Sequence, residues 1–365
     1  MERLQIAIIA GEPSGDMYGA RLVEALREKT PARFFGMGGK QMKASGVELY
    51  WGMPLSIVGG VEALFAIPKA LSLLREVVRK LKETKPDLLI LIDFAEFNLS
   101  LLKASHPLGI KTSWLFPPTA WAWRPGRAKV VARLCDLVIS CLSFEADFYR
   151  ASGAKVAFVG HHLLDIVKPE GRLPFSGSPI IGLLPGSRAS EVKRLLPIMV
   201  NTVKNLSLSR KDTFSFLVLS EAIQRESVER QIKGIPCEII CERRYEAMAS
   251  ADILLVASGT ATLEAAILKK PSVILYKMDT ISFFMAKFFV RTRFIGLPNI
   301  IAAKEVFPEL LQGKVKPENI VKCIEKILEN RSGIEKELDA IKEKLGSQGA
   351  MNRASDALLR LYSTH

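Results

Sequence analysis

Three short stretches combine small, hydroxylated and charged residues in patterns suited to holding an anion. The first, Pro185-Gly186-Ser187-Arg188, separates the apolar run PIIGLLP from a helical pattern that starts near Ala189. In such a loop Gly186 permits close backbone approach, Ser187 can cap the helix, and unpaired N–H groups attract negative charge. Arg188 adds a planar fork that matches phosphate. A lone Gly-Ser-Arg would favour an ordinary helix cap with a solvent-facing arginine. The second stretch, Ser258-Gly259-Thr260-Ala261-Thr262-Leu263-Glu264, also opens a helix at a strand end. Glu264, one turn in, is within reach of a diol such as a ribose, or else serves as a capping carboxylate. Two such termini in one domain point to a nucleotide diphosphate, although neither fits the G-x-x-x-x-G-K-[ST] phosphate loop. The third, Gly11-Glu12-Pro13-Ser14-Gly15-Asp16, lacks the G-x-G-x-x-G spacing and gives no support to NAD binding. Glu12, Ser14, Gly15 and Asp16 suit a polyhydroxylated or amide-bearing ligand, with Asp16 equally readable as an N-cap.

One carboxylate is placed for proton transfer. Asp93 closes the apolar strand DLLILID, at the end of a buried strand where a general base can work. Glu96 competes for that role, and Asn98 is positioned to cap the next helix. Downstream, Trp121-Ala122-Trp123-Arg124-Pro125-Gly126-Arg127 gathers aromatic and basic groups in one loop. Trp123 and Arg124 could face a sugar, whereas paired tryptophans more often fill a core or a domain interface. His161 and His162 follow the strand KVAFVG, and the sequence offers no obvious partners to complete a metal site with them. No metal ligand set and no cofactor is expected.

Elements to position these residues are visible along the whole chain. Short apolar runs of four to eight residues alternate with helical patterns, the signature of parallel sheets covered on both faces. The expected strands are LQIAIIA, RFFGM, DLLILID, IKTSWLF, DLVISC and KVAFVG, then PIIGLLP, FSFLVLS, CEIIC, DILLVAS and SVILYK. A helix is expected over Ile67 to Glu83. The stretch DIVKPEGRLPFSGS breaks the alternation and reads as a linker. The fold class is therefore α/β, with two doubly wound domains, 1-170 and 171-316, followed by a helical tail, 317-365, packing on either domain.

The 365 residues, 48% of them hydrophobic, suffice for two large cores. Lys and Arg number 51 against 38 Asp and Glu, a net +13 that favours anionic partners. Five cysteines without a C-x-x-C pair argue against a disulfide framework. The opening MERLQIAIIAGEPSGD is too short an apolar run for a signal peptide, and no stretch reaches membrane-spanning length. Two apolar segments with basic flanks, residues 57 to 74 and 281 to 293, are core-forming on the plain reading. They also fit an acyl-chain groove or membrane-surface patch, where each buried CH2 contributes ~0.8 kcal/mol. No nucleic-acid-binding motif is present.

The ordered set GEPSGD, LIDFAEFN, PPTAWAWR, FVGHHLLD, LLPGSRASEV, ASGTATLEA and LPNIIA closely resembles the lipid-A-disaccharide synthases, over about residues 4 to 312. These are inverting glycosyltransferases with two Rossmann-like domains, the GT-B architecture. The resemblance implies that UDP-2,3-diacylglucosamine and 2,3-diacylglucosamine 1-phosphate are joined by a β-1,6 linkage, releasing UDP. It also implies an acceptor-binding first domain, a UDP-sugar-binding second domain, and peripheral association with the cytoplasmic face of an inner membrane. Asp93 falls on the aspartate of the family's G-I-D-A-P-D-F-N motif and would be the base. Gly186, Ser187 and Arg188 fall on the loop serving UDP, with Ser258, Gly259 and Thr260 as its companion. Glu264 falls on the ribose ligand, and Asn299 of LPN on another active-site position. There are two departures. Phe116-Pro117-Pro118-Thr119 replaces the usual Ser-Pro-Ser, and Glu96 replaces a second aspartate. UDP is a stabilised leaving group whose charge helix N-termini and Arg188 can meet, and no D-x-D metal motif is evident. Other UDP-sugar enzymes of this architecture, such as a lipid-linked N-acetylglucosaminyltransferase or an epimerase, remain open. So do a non-catalytic nucleotide-sugar-binding protein at a membrane surface and self-association into a homo-oligomer.

Overall fold

The computed structural model describes residues 3–54, 62–220, 222–279 and 292–363, with the backbone alone over 62–67. Contacts divide it into two compact units, Met1–His162 with Gly346–His365, and Leu163–Leu345.

The first unit is built on seven parallel strands: β1 (Leu4–Ala10), β2 (Ala32–Gly38), β3 (Glu48–Gly52), β4 (Leu88–Ile92), β5 (Lys111–Leu115), β6 (Leu137–Ser140) and β7 (Val156–Phe158). Their order is β3-β2-β1-β4-β5-β6-β7. The five residues of β4, LLILI, are all buried, as expected of a central strand covered on both faces. One face packs Ile6, Ile8, Phe34 and Ile90 against Leu22 and Leu26 of the helix Pro13–Arg27. The other packs Ile9, Phe35, Leu91 and Trp114 with Val77 and Leu101.

The second unit carries β8 (Ile180–Leu184), β9 (Phe214–Val218), β10 (Cys237–Ile240), β11 (Ile253–Ala257), β12 (Ser272–Tyr276) and β13 (Glu309–Leu311). These are parallel in the order β10-β9-β8-β11-β12-β13. Leu183, Leu255 and Val273 meet Leu196, Val200 and Ile324 in its core.

The two sheets share a feature that decides where ligands go. In the first, the chain runs outward from β1 through β2 to β3, then returns to add β4 on the other side of β1. In the second, β8, β9 and β10 run one way and β11 returns beside β8. Each sheet thus has one point where neighbouring strands feed loops in opposite directions, leaving a crevice beyond their carboxyl ends.

Strands β3 and β13 were not among the expected runs. Both are sheet edges with no fully buried residue, so their sequences lack the dense apolar signal of the central strands. The helix expected over 67–83 extends over Glu62–Thr84, with Pro68 inside it. The helical tail does not stay in one piece: Pro317–Glu329 and Arg331–Lys344 belong to the second unit, and Ala350–Ser363 to the first. Among the described residues no helix is long and apolar enough to cross a membrane. The proposed apolar segments 57–74 and 281–293 lie largely outside the residues whose side chains are described.

Candidate active site

In the first unit the crevice lies between β1 and β4, and there two of the singled-out stretches meet. Ser14, in the first turn of the helix Pro13–Arg27 that follows β1, donates a hydrogen bond from Oγ to Asp93 Oδ2 at 3.2 Å. Asp93 and Phe94 both have left-handed backbones, with φ of 49° and 48°. That conformation is unusual for a bulky residue such as Phe94 and costs on the order of 1–3 kcal/mol per residue. Two contacts hold it. The Asn98 amide donates to the carbonyls of Ile92 at 3.2 Å and Asp93 at 2.8 Å. The Phe94 ring lies over Gly11, where an added Cβ would come within 2.3 Å of the ring, and stacks on Phe97 at 5.0 Å. The Phe94 ring therefore leaves room only for a glycine at position 11. Burial pushes the Asp93 carboxyl up from its ordinary value, opposed by the hydrogen bonds from Ser14 and the Phe94 backbone. A carboxylate so raised is a stronger base.

The neighbouring candidates have other tasks. Asp16 is buried and its carboxylate accepts from three backbone N–H groups, those of Gly39 at 2.7 Å, Gln41 at 3.0 Å and Met42 at 3.0 Å. It ties the helix Pro13–Arg27 to the start of the short helix Lys40–Ala44. Gly15 is buried against Ala10 and Ile92, and exposed Glu12 precedes the helix. Glu96 is exposed and pairs with Arg127 and, at 3.7 Å, Arg124. Both guanidinium groups also sit over the Trp123 ring, at 4.9 Å for Arg124 and 4.7 Å for Arg127. These pairs fasten the tryptophan loop to the helix that follows Asp93.

Glu145 is a residue the sequence reading missed. It is buried, with Oε1 accepting from Trp121 Nε1 at 3.0 Å and Oε2 lying 2.7 Å from Ser140 Oγ. Ser140 Oγ also lies 3.0 Å from the Leu142 carbonyl. One hydroxyl hydrogen cannot serve both acceptors, so a protonated Glu145 that donates to Ser140 satisfies the set. Burial, with the Asp93 charge adding to it, pushes the Glu145 carboxyl up to about 7. Nothing in the local sequence SFEADF separates this glutamate from a surface acid.

In the second unit a cavity of about 520 Å³ opens at the carboxyl ends of β8, β9 and β11. Gly186, Ser187, Arg188, Ser258, Gly259, Thr260 and Glu264 all line it. Gly186 has φ 111°, and a Cβ there would lie 2.2 Å from the Glu191 carboxylate. Ser187 does not cap the helix Ala189–Ser209. Glu191 does so instead, accepting from the backbone of Ser187 at 3.2 Å and Arg188 at 3.4 Å while its Oε1 meets Arg188 Nη1 at 3.2 Å. In the companion loop the turn is closed by Thr262, whose hydroxyl donates to the Gly259 carbonyl at 2.7 Å. Glu264 is buried and already paired with Arg244, and it accepts from the Tyr245 hydroxyl at 3.2 Å. Arg244, which lines the cavity beside Arg188, carried no motif that would have exposed it. Two guanidinium groups and the N-terminus of the helix Thr260–Ile267 thus face a space large enough for a nucleotide.

Asn299 is elsewhere. It is fully buried and makes four hydrogen bonds, donating to Phe307 O at 2.7 Å and Glu309 Oε1 at 2.8 Å and accepting from Val306 N at 2.8 Å and Phe307 N at 2.9 Å. It is not part of the cavity lining, and its amide shapes the segment leading to β13.

Two parallel, doubly wound sheets, each with candidate residues gathered at its switch point, define a two-domain α/β protein. The fold is shared with solved structures. A glycosyltransferase of kitacinnamycin covers 99% of this chain and 100% of its own, with TM-score 0.70 at 13% identity. Sequence comparison is more specific. The family model for lipid-A-disaccharide synthetase matches residues 6–361. The lipid-A-disaccharide synthase of Myxococcus xanthus is 36% identical over 98% of this chain and 97% of its own length. That of Nitrosococcus oceani is 38% identical over 94% and 92%. The chain belongs to the lipid-A-disaccharide synthetase family.

Proposed function

We propose that the chain is an inverting glycosyltransferase that joins UDP-2,3-diacylglucosamine to 2,3-diacylglucosamine 1-phosphate. The observation carrying the chemistry is Asp93, a strand-end carboxylate whose pKa is raised by burial and which Ser14 and Asn98 hold in place. The acceptor 6-hydroxyl attacks C1 of the donor sugar on the face opposite UDP. As the new C1–O bond forms, its proton passes to Asp93, and the bond from C1 to the diphosphate oxygen breaks with its electron pair on UDP. Proton transfer comes late, because a carboxylate is a weak base towards an alcohol. Charge gathering on the diphosphate is met by Arg188, Arg244 and the helix N-terminus beside Gly259. Trp123 with its two arginines supplies a flat, cationic surface for the sugar phosphate of the acceptor.

The net +13 and the apolar segments with basic flanks support peripheral binding to an anionic membrane, where both diacylated substrates reside. Sedimentation with vesicles should rise with their anionic lipid content and fall with salt; equal sedimentation with neutral vesicles would remove this part of the reading. The reaction itself is tested by UDP release and mass spectrometry of the lipid. UDP appearing only when both lipids are present, together with a tetraacyl disaccharide phosphate, is the expected result. UDP release without acceptor, or epimerised donor, would point to another UDP-sugar chemistry.

A further inference from the structure

The carboxyl edge of the first sheet holds a cluster that the proposed reaction does not use. Strand β6 ends at Ser140 and β7 at Phe158, and Val159 N donates to Ser140 O at 3.0 Å, so the two strands leave the sheet side by side. Cys141 follows one exit, His161 and His162 the other. The sequence offered the histidine pair no partner; the fold supplies one. One ligand atom from each of the three residues lies within 4.8 Å of the other two. All three side chains are buried, at 8%, 5% and 4% exposure for Cys141, His161 and His162.

We infer that Cys141, His161 and His162 form a site for one zinc ion. The second observation that supports it concerns His162. Both of its ring nitrogens are buried and neither has a hydrogen-bond partner. A core histidine ordinarily satisfies both nitrogens, and each buried polar atom left without a partner costs about 1–3 kcal/mol. The rings of Tyr18, at 4.2 Å, and Phe116, at 5.2 Å, flank the imidazole. A metal bond to one nitrogen would remove much of that cost.

The donor set fits zinc, which accepts thiolate and imidazole together in a tetrahedral site with Zn–S of about 2.3 Å and Zn–N of about 2.0–2.1 Å. Those bonds require ligand atoms roughly 3.3–3.6 Å apart. Zinc binding would draw the three ligand atoms together from the spacing they have without it. On binding, the thiol proton of Cys141 is released to solvent and the sulfur lone pair forms the S–Zn bond. The fourth position is left for a water or a small anion. Such a site would tie the exits of β6 and β7 together.

The test uses the full chain, stripped with a chelator and titrated with zinc(II) against a chromophoric competitor, and separately with cobalt(II). One zinc per chain and a sulfur-to-cobalt charge-transfer absorption are expected. Cys141→Ser and His162→Gln should each weaken zinc binding by more than about 100-fold, the upper range for loss of a mere outer-shell partner. Cys135→Ser, which alters another buried thiol, should leave it unchanged. Absence of zinc binding, a cobalt spectrum without the sulfur band, or Cys141→Ser titrating like the wild type would overturn the inference. The wild-type spectrum decides the matter even where a variant fails to fold.

Discussion

At the residue scale, the chemistry rests on carboxylates made different by their surroundings. Asp93, Glu96 and Glu145 are all acids of the first unit, yet burial raises the carboxyls of Asp93 and Glu145, while exposed Glu96 pairs with two arginines. Asp93 must be deprotonated to act, so activity falls as pH drops through its raised pKa. The acid limb of the kcat profile should therefore lie above the ordinary aspartate range and vanish in a variant lacking the base. Glu145 gives a stability prediction of defined sign. Its folded pKa of about 7 lies above the ordinary 4.5. The stabilisation tied to its protonated form is complete below pH ~4.5 and is lost as pH rises through about 7. Glu145→Gln, a neutral mimic that keeps both hydrogen bonds, should be more stable than wild type above neutrality, by on the order of 1–3 kcal/mol. The gap should close in acid. Melting curves across pH read this directly, and a pH-independent difference would contradict the protonated assignment.

At the scale of elements, loops work because helices and strands hold them under tension or cap them. Glu191 closes the start of the helix Ala189–Ser209 through the backbone of Ser187 and Arg188. Glu191→Ala should cost about 0.5–2 kcal/mol and loosen Arg188. Arg188→Ala and Arg244→Ala should each weaken UDP binding by calorimetry with little change in melting temperature, and unchanged affinity would remove that arginine from the phosphate site. Asp16→Ala should instead cost stability, about 1–3 kcal/mol, because three N–H groups lose their acceptor. The central strands were legible because burial on both faces demands unbroken apolar runs, as in LLILI and ILLVA. Edge strands β3 and β13 were not, since half-buried positions tolerate mixed residues. Gly-Ser-Arg and Ser-Gly-Thr announced a strand-to-helix turn, and the cavity between them follows. What sequence could not give was pairing across distance: Arg244 on Glu264, Glu145 on Trp121, or Cys141 beside the histidines. Asn299 illustrates the opposite case, a residue singled out by its motif whose hydrogen bonds are all spent inside the protein.

At the scale of the whole molecule, the chain visits the first unit, builds the second, and returns. The last helix, Ala350–Ser363, buries Met351, Ala354 and Leu358 against the core that carries β1. Lys29 pairs with Asp356 at 2.6 Å, and Arg353 Nε donates to the Val159 carbonyl at 2.9 Å. Truncation after Leu345 should therefore destabilise the first unit and leave the second largely intact. Hydrogen exchange should show β1, β2 and β4 losing protection while β8 and β11 keep theirs; uniform loss would show that the units fold as one. The division of labour proposed for the two units, a base in one and a diphosphate site in the other, leads to one decisive comparison. Wild type and Asp93→Asn would be given both diacylated substrates at saturation, and disaccharide formation followed by mass spectrometry alongside UDP affinity. The account predicts unchanged UDP binding and a rate lower by roughly 10² to 10⁴ in the variant. Near-normal turnover by Asp93→Asn would contradict it.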